Sequence, residues 1–357
     1  MSRQPLKAPF PYFGGKSRVA AAVWERLGDV PSYVEPFFGS GAVLLARPHA
    51  PRIETVNDAD GLLANFWRAM VHSPEEVARW ADWPVNEADL HARHLWLVGQ
   101  RERLTERLMA DPDFFDAKAA GWWVWGASCW IGSGWCSGRG PWGVVDGVFA
   151  HLGTAGQGVK RKLPHLGAGR GVKRQLPHLG SAGRGVKRQP PHLGSAGQGV
   201  NRQPPHLGSA GQGVAAALMP VAERMRRVRV VCGDWSRVLG DSVLFPTVRA
   251  AGALCGVMLD PPYRSANAIE YAGGGVDHAA IEAWCRDNGD RPQLRIALCG
   301  YEGEYDLPGW SVMAWKAHGG FGNQGQGRGR KNSTKERIWF SPHCLAAAAL
   351  SLDLGAP

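Results

Sequence analysis

Residues 256–263, GVMLDPPY, set an apolar run directly before an acid and two prolines. A run of this kind, Ala253 to Leu259 with Val257, Met258 and Leu259 adjacent, predicts a strand buried on both faces of a parallel sheet. Pro261 and Pro262 end it, because proline lacks the amide donor that a ladder requires and fixes φ, and Pro262 holds Pro261 itself extended. The chain therefore leaves the sheet stiffly at the carboxyl edge, where open α/β sheets place their ligands. Asp260, the Pro261 carbonyl and the Tyr263 ring are presented there together. Two readings fit the tetrapeptide. In one, Asp260 caps a following helix and Tyr263 is a half-buried surface aromatic. In the other, the cluster grips a flat, amine-bearing ring: Asp260 and the Pro261 carbonyl accept from an exocyclic NH2, and Tyr263 stacks on the ring face.

The α/β pattern starts near the N-terminus. Residues 33–45, YVEPFFGSGAVLL, predict a short strand, a glycine turn and a helix start, suited to close backbone approach of a ligand to Gly39, Ser40 and Gly41. Asp58 follows Gly39 by 19 residues in IETVNDAD, at the predicted end of a second strand, where an acid accepts from both hydroxyls of a ribose. The full G-x-G-x-x-G fingerprint is missing, so a nucleoside without phosphates fits better than a dinucleotide. Further strands are predicted in RRVRVVCGDW, in LRIALCGY and from Glu336 to Ser341. The last follows a Gly-rich basic loop whose Arg328, Arg330, Lys331 and Lys335 either meet phosphates or keep the loop solvated.

Between these parts, Ser73 to about Ala120 reads as helical, with a capping box at Ser73-Pro74-Glu75-Glu76 and a small core of its own. Leu90, Leu97, Leu104 and Leu108 mark one face of a longer helix that Asp111-Pro112 closes. Residues 122–142 carry six of the sixteen tryptophans, interleaved with glycine and Arg139. Packing explains several of them, and the cluster also suits a surface that stacks on bases or wedges into a duplex.

Residues 147–214 are an internal repeat, GVKRQLPHLGSAGR and near copies, with His151, His165, His178, His192 and His206 spaced by 14, 13, 14 and 14 residues. Each unit has too few large apolar side chains to offset the ordering of its backbone, so a weakly ordered array with solvated histidines is expected. The segment holds ten of the 41 Lys and Arg and no acid, leaving 31 basic against 31 acidic residues elsewhere. All of the +10 net charge therefore sits in one stretch. Seven cysteines without a C-x-x-C pair argue against a disulfide framework and against zinc, and no metal is expected. With no apolar leader and no apolar run of transmembrane length, a soluble protein of the cytoplasm, off the membrane, is predicted.

Taken in order, FPYFGGK, YVEPFFGSGAVLL, NDAD, GDW, DPPY and KERIWFSP resemble the Dam-like (D12 class) N6-adenine DNA methyltransferases over nearly the whole chain apart from the repeats. The resemblance implies a Rossmann-like S-adenosylmethionine-dependent sheet with an inserted helical target-recognition subdomain carrying the low-complexity repeat. Its parts are residues 1–72 with the cofactor motifs, 73–146 as the helical and Trp-rich insertion, 147–214 as the array, and 215–357 with the catalytic motif. By the same resemblance, Tyr12 and Lys16 close over the methionine end of S-adenosylmethionine, and Glu35, Phe38, Gly39 and Gly41 form its turn. Asp58 holds the ribose, Asp234 lies near the cofactor's adenine, and Asp260, Pro261, Pro262 and Tyr263 hold a flipped adenine, with Asp260 also bordering the cofactor. The expected partner is double-stranded DNA and the expected state a monomer. An acid at the head of the tetrapeptide favours adenine N6 over cytosine N4. The competing class is a non-catalytic DNA-binding protein using the basic array, which cofactor binding separates from an enzyme.

Overall fold

The computed structural model describes residues 6–12, 14–130, 135–136, 142–145, 148–151, 213–246, 253–263, 276–315 and 336–346. In chain order, α1 (Ala20–Leu27), β1 (Ser32–Glu35), α2 (Ala42–Leu45), β2 (Ile53–Asp58) and α3 (Gly61–His72) form a first half. Three helices follow, α4 (Pro74–Ala81), α5 (Glu87–Ala110) and α6 (Ala117–Cys129), and then β3 (Trp142–Val145) and β4 (Val148–His151), which pair with each other alone. After the repeats come α7 (Val214–Met225), β5 (Val228–Cys232), a 3-10 turn (Trp235–Val238), α8 (Asp241–Leu244) and β6 (Cys255–Leu259). The chain then forms α9 (His278–Asn288), β7 (Leu294–Tyr301), β8 (Ser311–Ala314) and β9 (Glu336–Phe340).

Seven strands make one sheet in the order β5-β2-β1-β6-β7-β9-β8. The first five run parallel, and β9 pairs antiparallel with both β7 and β8. The chain builds outward from β1 through β2 to β5, then crosses to the other side of β1 for β6 and β7. The carboxyl ends of β1 and β6 therefore flank a topological switch point, the place where open sheets of this kind bind ligands.

The predicted burial on both faces holds. Every residue of β6 is buried, and its side chains alternate between two cores as the period of a strand requires. Met258 joins Tyr33, Val56, Ala297, Cys299 and Ile338 on one face, under α1, α3 and α7. Val257 and Leu259 join Val34, Ile296, Leu298 and Trp339 on the other, under α9 and the 3-10 turn.

The helical stretch differs from its prediction in three respects. Ser73 occupies the N-cap position of α4 but makes no side-chain cap bond. It is at the same time the C-cap of α3, its amide donating to Ala69 O at 2.8 Å, so its conformation answers to two helices at once, and Glu76 pairs with Arg79 instead. Second, α4 to α6 have no core of their own: Val77, Leu97, Leu104, Leu108 and Trp123 lie in the same cluster as one face of the sheet. Third, α6 runs on to Cys129 and takes the tryptophans inward. Trp123, Trp125 and Trp130 are buried and offer no stacking surface, while Trp122 and Trp135 are half-buried and packed against the core.

One buried network ties the chain together across the repeats. The Glu54 carboxylate of β2 accepts from Arg47 Nη1 at 2.9 Å and from Arg224 Nη1 and Nη2 at 2.6 and 2.7 Å. Arg224 belongs to α7, the first element after the array.

Candidate active site

Each parallel strand delivers a side chain or a turn to the carboxyl edge. After β1 the chain turns through Gly39 and Gly41, both at positive φ (50° and 68°), a region that side chains other than glycine avoid. Space forbids substitution as well: a Cβ on Gly39 would lie 2.8 Å from the Tyr12 ring, and one on Gly41 2.7 Å from the Phe38 ring. Trp67 Nε1 donates to Gly39 O at 3.0 Å. Phe38 is buried, while Tyr12, half-buried, packs edge-on against Phe10.

Asp58 ends β2 and holds this turn. Its Oδ2 accepts from the Gly39 amide and its Oδ1 from the Asp60 amide, both at 3.0 Å. Burial pushes the carboxyl up to about 7, against the pull of these amides. Next to it, Asn57 Nδ2 donates to Pro36 O and Gly233 O, each at 3.0 Å, and so links the ends of β1 and β5 across β2. Sequence reasoning passed over Asn57, a residue inside the quoted motif. Asp234 follows β5, exposed, and caps the 3-10 turn through the Ser236 amide at 2.9 Å. The Trp235 ring beside it stacks with Phe37, 6.2 Å between centroids.

Glu35, at the end of β1, is buried and accepts from the Tyr33 hydroxyl at 2.8 Å. Burial holds its carboxyl well above the usual range, helped by the charge of Asp260. It is the last residue of β1 and precedes the glycine turn.

At the end of β6, Asp260 Oδ1 lies 2.8 Å from Lys16 Nζ, which also donates to Gly14 O at 2.6 Å. Lys16 is 3% exposed. Burial is the largest influence and works against its charge, but Asp260 together with Cys299 and Glu336 outweighs it and keeps the ammonium above its ordinary pKa. Burial raises the Asp260 carboxyl too, with Lys16 opposing. The Tyr263 ring lies under the same ammonium, 5.0 Å from Nζ to its centroid, and meets Tyr301 edge-on at 4.7 Å. Pro261 is buried and Pro262 half-buried.

A further acid completes the cluster. Glu336 opens β9, in register with Tyr301 of β7, and because β9 runs antiparallel its first residue lands at the carboxyl end of the others. Alternation puts it on the face of Ile338 and Met258, toward Asp260. Burial pushes its carboxyl up to about 7, opposed by Lys16. Nothing local in KERIWFSP marks this residue, since its place depends on strand direction. Elsewhere, Lys331, Lys335, Arg328, Arg330 and residues 152–212 of the array lie outside the described residues, while Val148–His151 at its start, expected to be weakly ordered, form β4 and pair with β3. Among the described residues no three His, Cys, Asp or Glu side chains group as a metal site, no two cysteines form a disulfide, and no helix is long and apolar enough to cross a membrane.

Residues 12–84 match the model of a family described as D12 class N6 adenine-specific DNA methyltransferase. The matched span holds Tyr12, Lys16, Glu35, Phe38, Gly39, Gly41 and Asp58, and ends before Asp234 and the Asp260 tetrapeptide. None of the curated proteins matches the chain. The mixed α/β architecture, with its mostly parallel seven-stranded sheet, is consistent with a methyltransferase-like fold. Methylation of adenine in DNA is the activity that a match to this family implies.

Proposed function

We propose that the protein transfers the methyl group of S-adenosylmethionine to adenine N6 in duplex DNA, with the target base flipped out of the stack. The observation that carries this reading is the meeting of a glycine turn, Asp58 and the Asp260-Pro261-Pro262-Tyr263 segment at one switch point of the sheet. The donor set fits the cofactor. The Asp58 carboxylate accepts the Gly39 and Asp60 amides and, with its several lone pairs, has acceptor capacity left for a ribose hydroxyl. Asp234 precedes Trp235, whose ring stacks with Phe37, and suits the adenine end; the Tyr12 ring lies against Gly39 and, with Lys16, suits the methionine end.

S-adenosylmethionine supplies an electrophilic methyl group on a sulfonium sulfur. The protein's part is positioning and charge. Adenine N6 is a poor nucleophile because its lone pair is delocalised into the ring. Asp260 and the Pro261 carbonyl accept its two hydrogens, localise that pair and aim it at the methyl group. Lys16 favours the ionised, acceptor-only form of Asp260, Pro262 stiffens the segment, and Tyr263 stacks on the base. Glu35 braces β1 by accepting from the Tyr33 hydroxyl. In this reading residues 73–146 recognise the target and residues 147–214 meet phosphates.

Calorimetry and nucleoside mass spectrometry test it. Wild type binds S-adenosylmethionine and yields N6-methyladenine. Asp260→Ala abolishes the product while binding largely survives, and Asp58→Ala weakens binding. N4-methylcytosine as the product, or no cofactor binding by wild type, refutes the reading.

A further inference from the structure

Methylation of an amine leaves a proton to be placed. When N6 gives its lone pair to the methyl carbon, the carbon–sulfur bond breaks with its electrons remaining on sulfur, and N6, now carrying the positive charge, must release one hydrogen ion. Asp260 is an awkward destination, because its Oδ1 is already held by Lys16 at 2.8 Å. Glu336 is better placed. It is 8% exposed, it stands in register with Tyr301 at the carboxyl edge of the sheet, and it neighbours Lys16, Asp260 and the Tyr263 hydroxyl. The neighbouring cation of β9, Arg337, is engaged elsewhere, 2.8 Å from Glu302.

We propose that Glu336 accepts the proton that adenine N6 releases on methylation. The proposal rests on reading the site as an adenine methyltransferase. The step balances: sulfur keeps the electron pair of the broken bond, N6 forms the new bond and loses the proton it shared with Asp260, and Asp260 passes that proton to its neighbour Glu336, whose carboxylate becomes a carboxylic acid that water later deprotonates. Charge couples the events. Glu336 faces one more positive charge before transfer, on the sulfonium, than after it, so its affinity for a proton rises as the proton is released. Its carboxyl already stands at about 7, poised between the two states near neutral pH.

Two measurements on the full chain test this. The first is calorimetry near pH 7 in two buffers of different ionisation enthalpy, which counts protons released on binding. Wild type releases more on binding S-adenosylmethionine than on binding S-adenosylhomocysteine, whose sulfide is uncharged, and Glu336→Gln lowers that difference, leaving the share of Asp58 and Asp260. The second is single-turnover methylation against pH. Glu336→Gln slows it by about 100-fold and flattens its rise with pH, while Glu336→Asp keeps the rise. If Glu336→Gln releases protons as wild type does, or methylates within about 3-fold of the wild-type rate, the proton role falls and the methyltransferase reading stands. If wild type binds no S-adenosylmethionine, both fall.

Discussion

Lys16→Met removes the cation that pairs with Asp260, and its effect on stability can be worked from the structure. The side chains are 4% and 20% exposed and the charged atoms 2.8 Å apart. At that distance an effective dielectric of about 20 gives a gross attraction of about 6 kcal/mol. Much of this offsets the loss of water around both groups, and removing one partner of a buried pair costs about 3–5 kcal/mol. Asp260 can limit the damage by taking up a proton. From its ordinary pKa of 3.8 that costs about 4 kcal/mol at pH 7, at about 1.36 kcal/mol per unit. The two figures agree, and only the second depends on pH, falling to about 1.6 kcal/mol at pH 5. The sign follows from the raised carboxyl: stability tied to its protonated form is complete below about 3.8 and is lost as pH rises through the folded-state value. Urea unfolding of wild type and variant at pH 5, 6 and 7, followed by tryptophan fluorescence, reads this directly. A loss below about 1 kcal/mol at pH 7, or one that does not shrink toward pH 5, refutes the assignment of Lys16 as the group that balances Asp260.

Four further outcomes are expected. Glu54→Ala leaves Arg47 and Arg224 buried together without their carboxylate and lowers stability by about 3–5 kcal/mol; a urea midpoint close to wild type would contradict this. Gly39→Ala forces a left-handed conformation worth about 1–2 kcal/mol and drives a Cβ to 2.8 Å from the Tyr12 ring, so affinity for S-adenosylmethionine falls by 10-fold or more in calorimetry. Burial lowers His94 to about 4 from 6.5, so the stability it contributes is present above 6.5 and is lost as pH falls through about 4; the drop reaches about 3 kcal/mol, and thermal melts of His94→Gln should lack it. Deleting residues 157–212 leaves the methylated sequence unchanged but makes log K fall less steeply with log salt, by about 0.9 for each phosphate that the array had neutralised; an altered recognition sequence would mean that the array reads bases.

The motifs that sequence reading picked out are those whose shape is decided within a few residues. Proline ends β6 after Leu259 because it has no amide to donate, whatever lies around it. Glycine at 39 and 41 permits the positive φ that the turn after β1 adopts. The apolar run LRIALCGY coincides with β7 residue for residue, since a strand covered on both faces has no polar side to blur its limits. The capping box at Ser73 failed for the opposite reason. Its four residues are right, but α3 ends where α4 begins, and a side chain that serves two helices obeys neither motif.

By itself, then, the sequence determined a parallel sheet with acids and a glycine turn at strand ends, because backbone chemistry and the period of burial are local properties. Which of those acids face one another was decided only in three dimensions. Lys16 and Asp260 stand 244 residues apart and pair at 2.8 Å, since the segment leading into α1 crosses the carboxyl end of β6 although the helices and the whole repeat array come between them in the chain. Glu336 reaches the same chamber because β9 runs against its neighbour β7, a direction that no pattern within five residues encodes. The tryptophans of 122–135 turned inward because α6 packs on α3 and α4, and burial of a ring that large outweighs any use of it at the surface. Strand order and helix packing are set by the summed burial of many distant side chains, and that sum exists only in the folded chain.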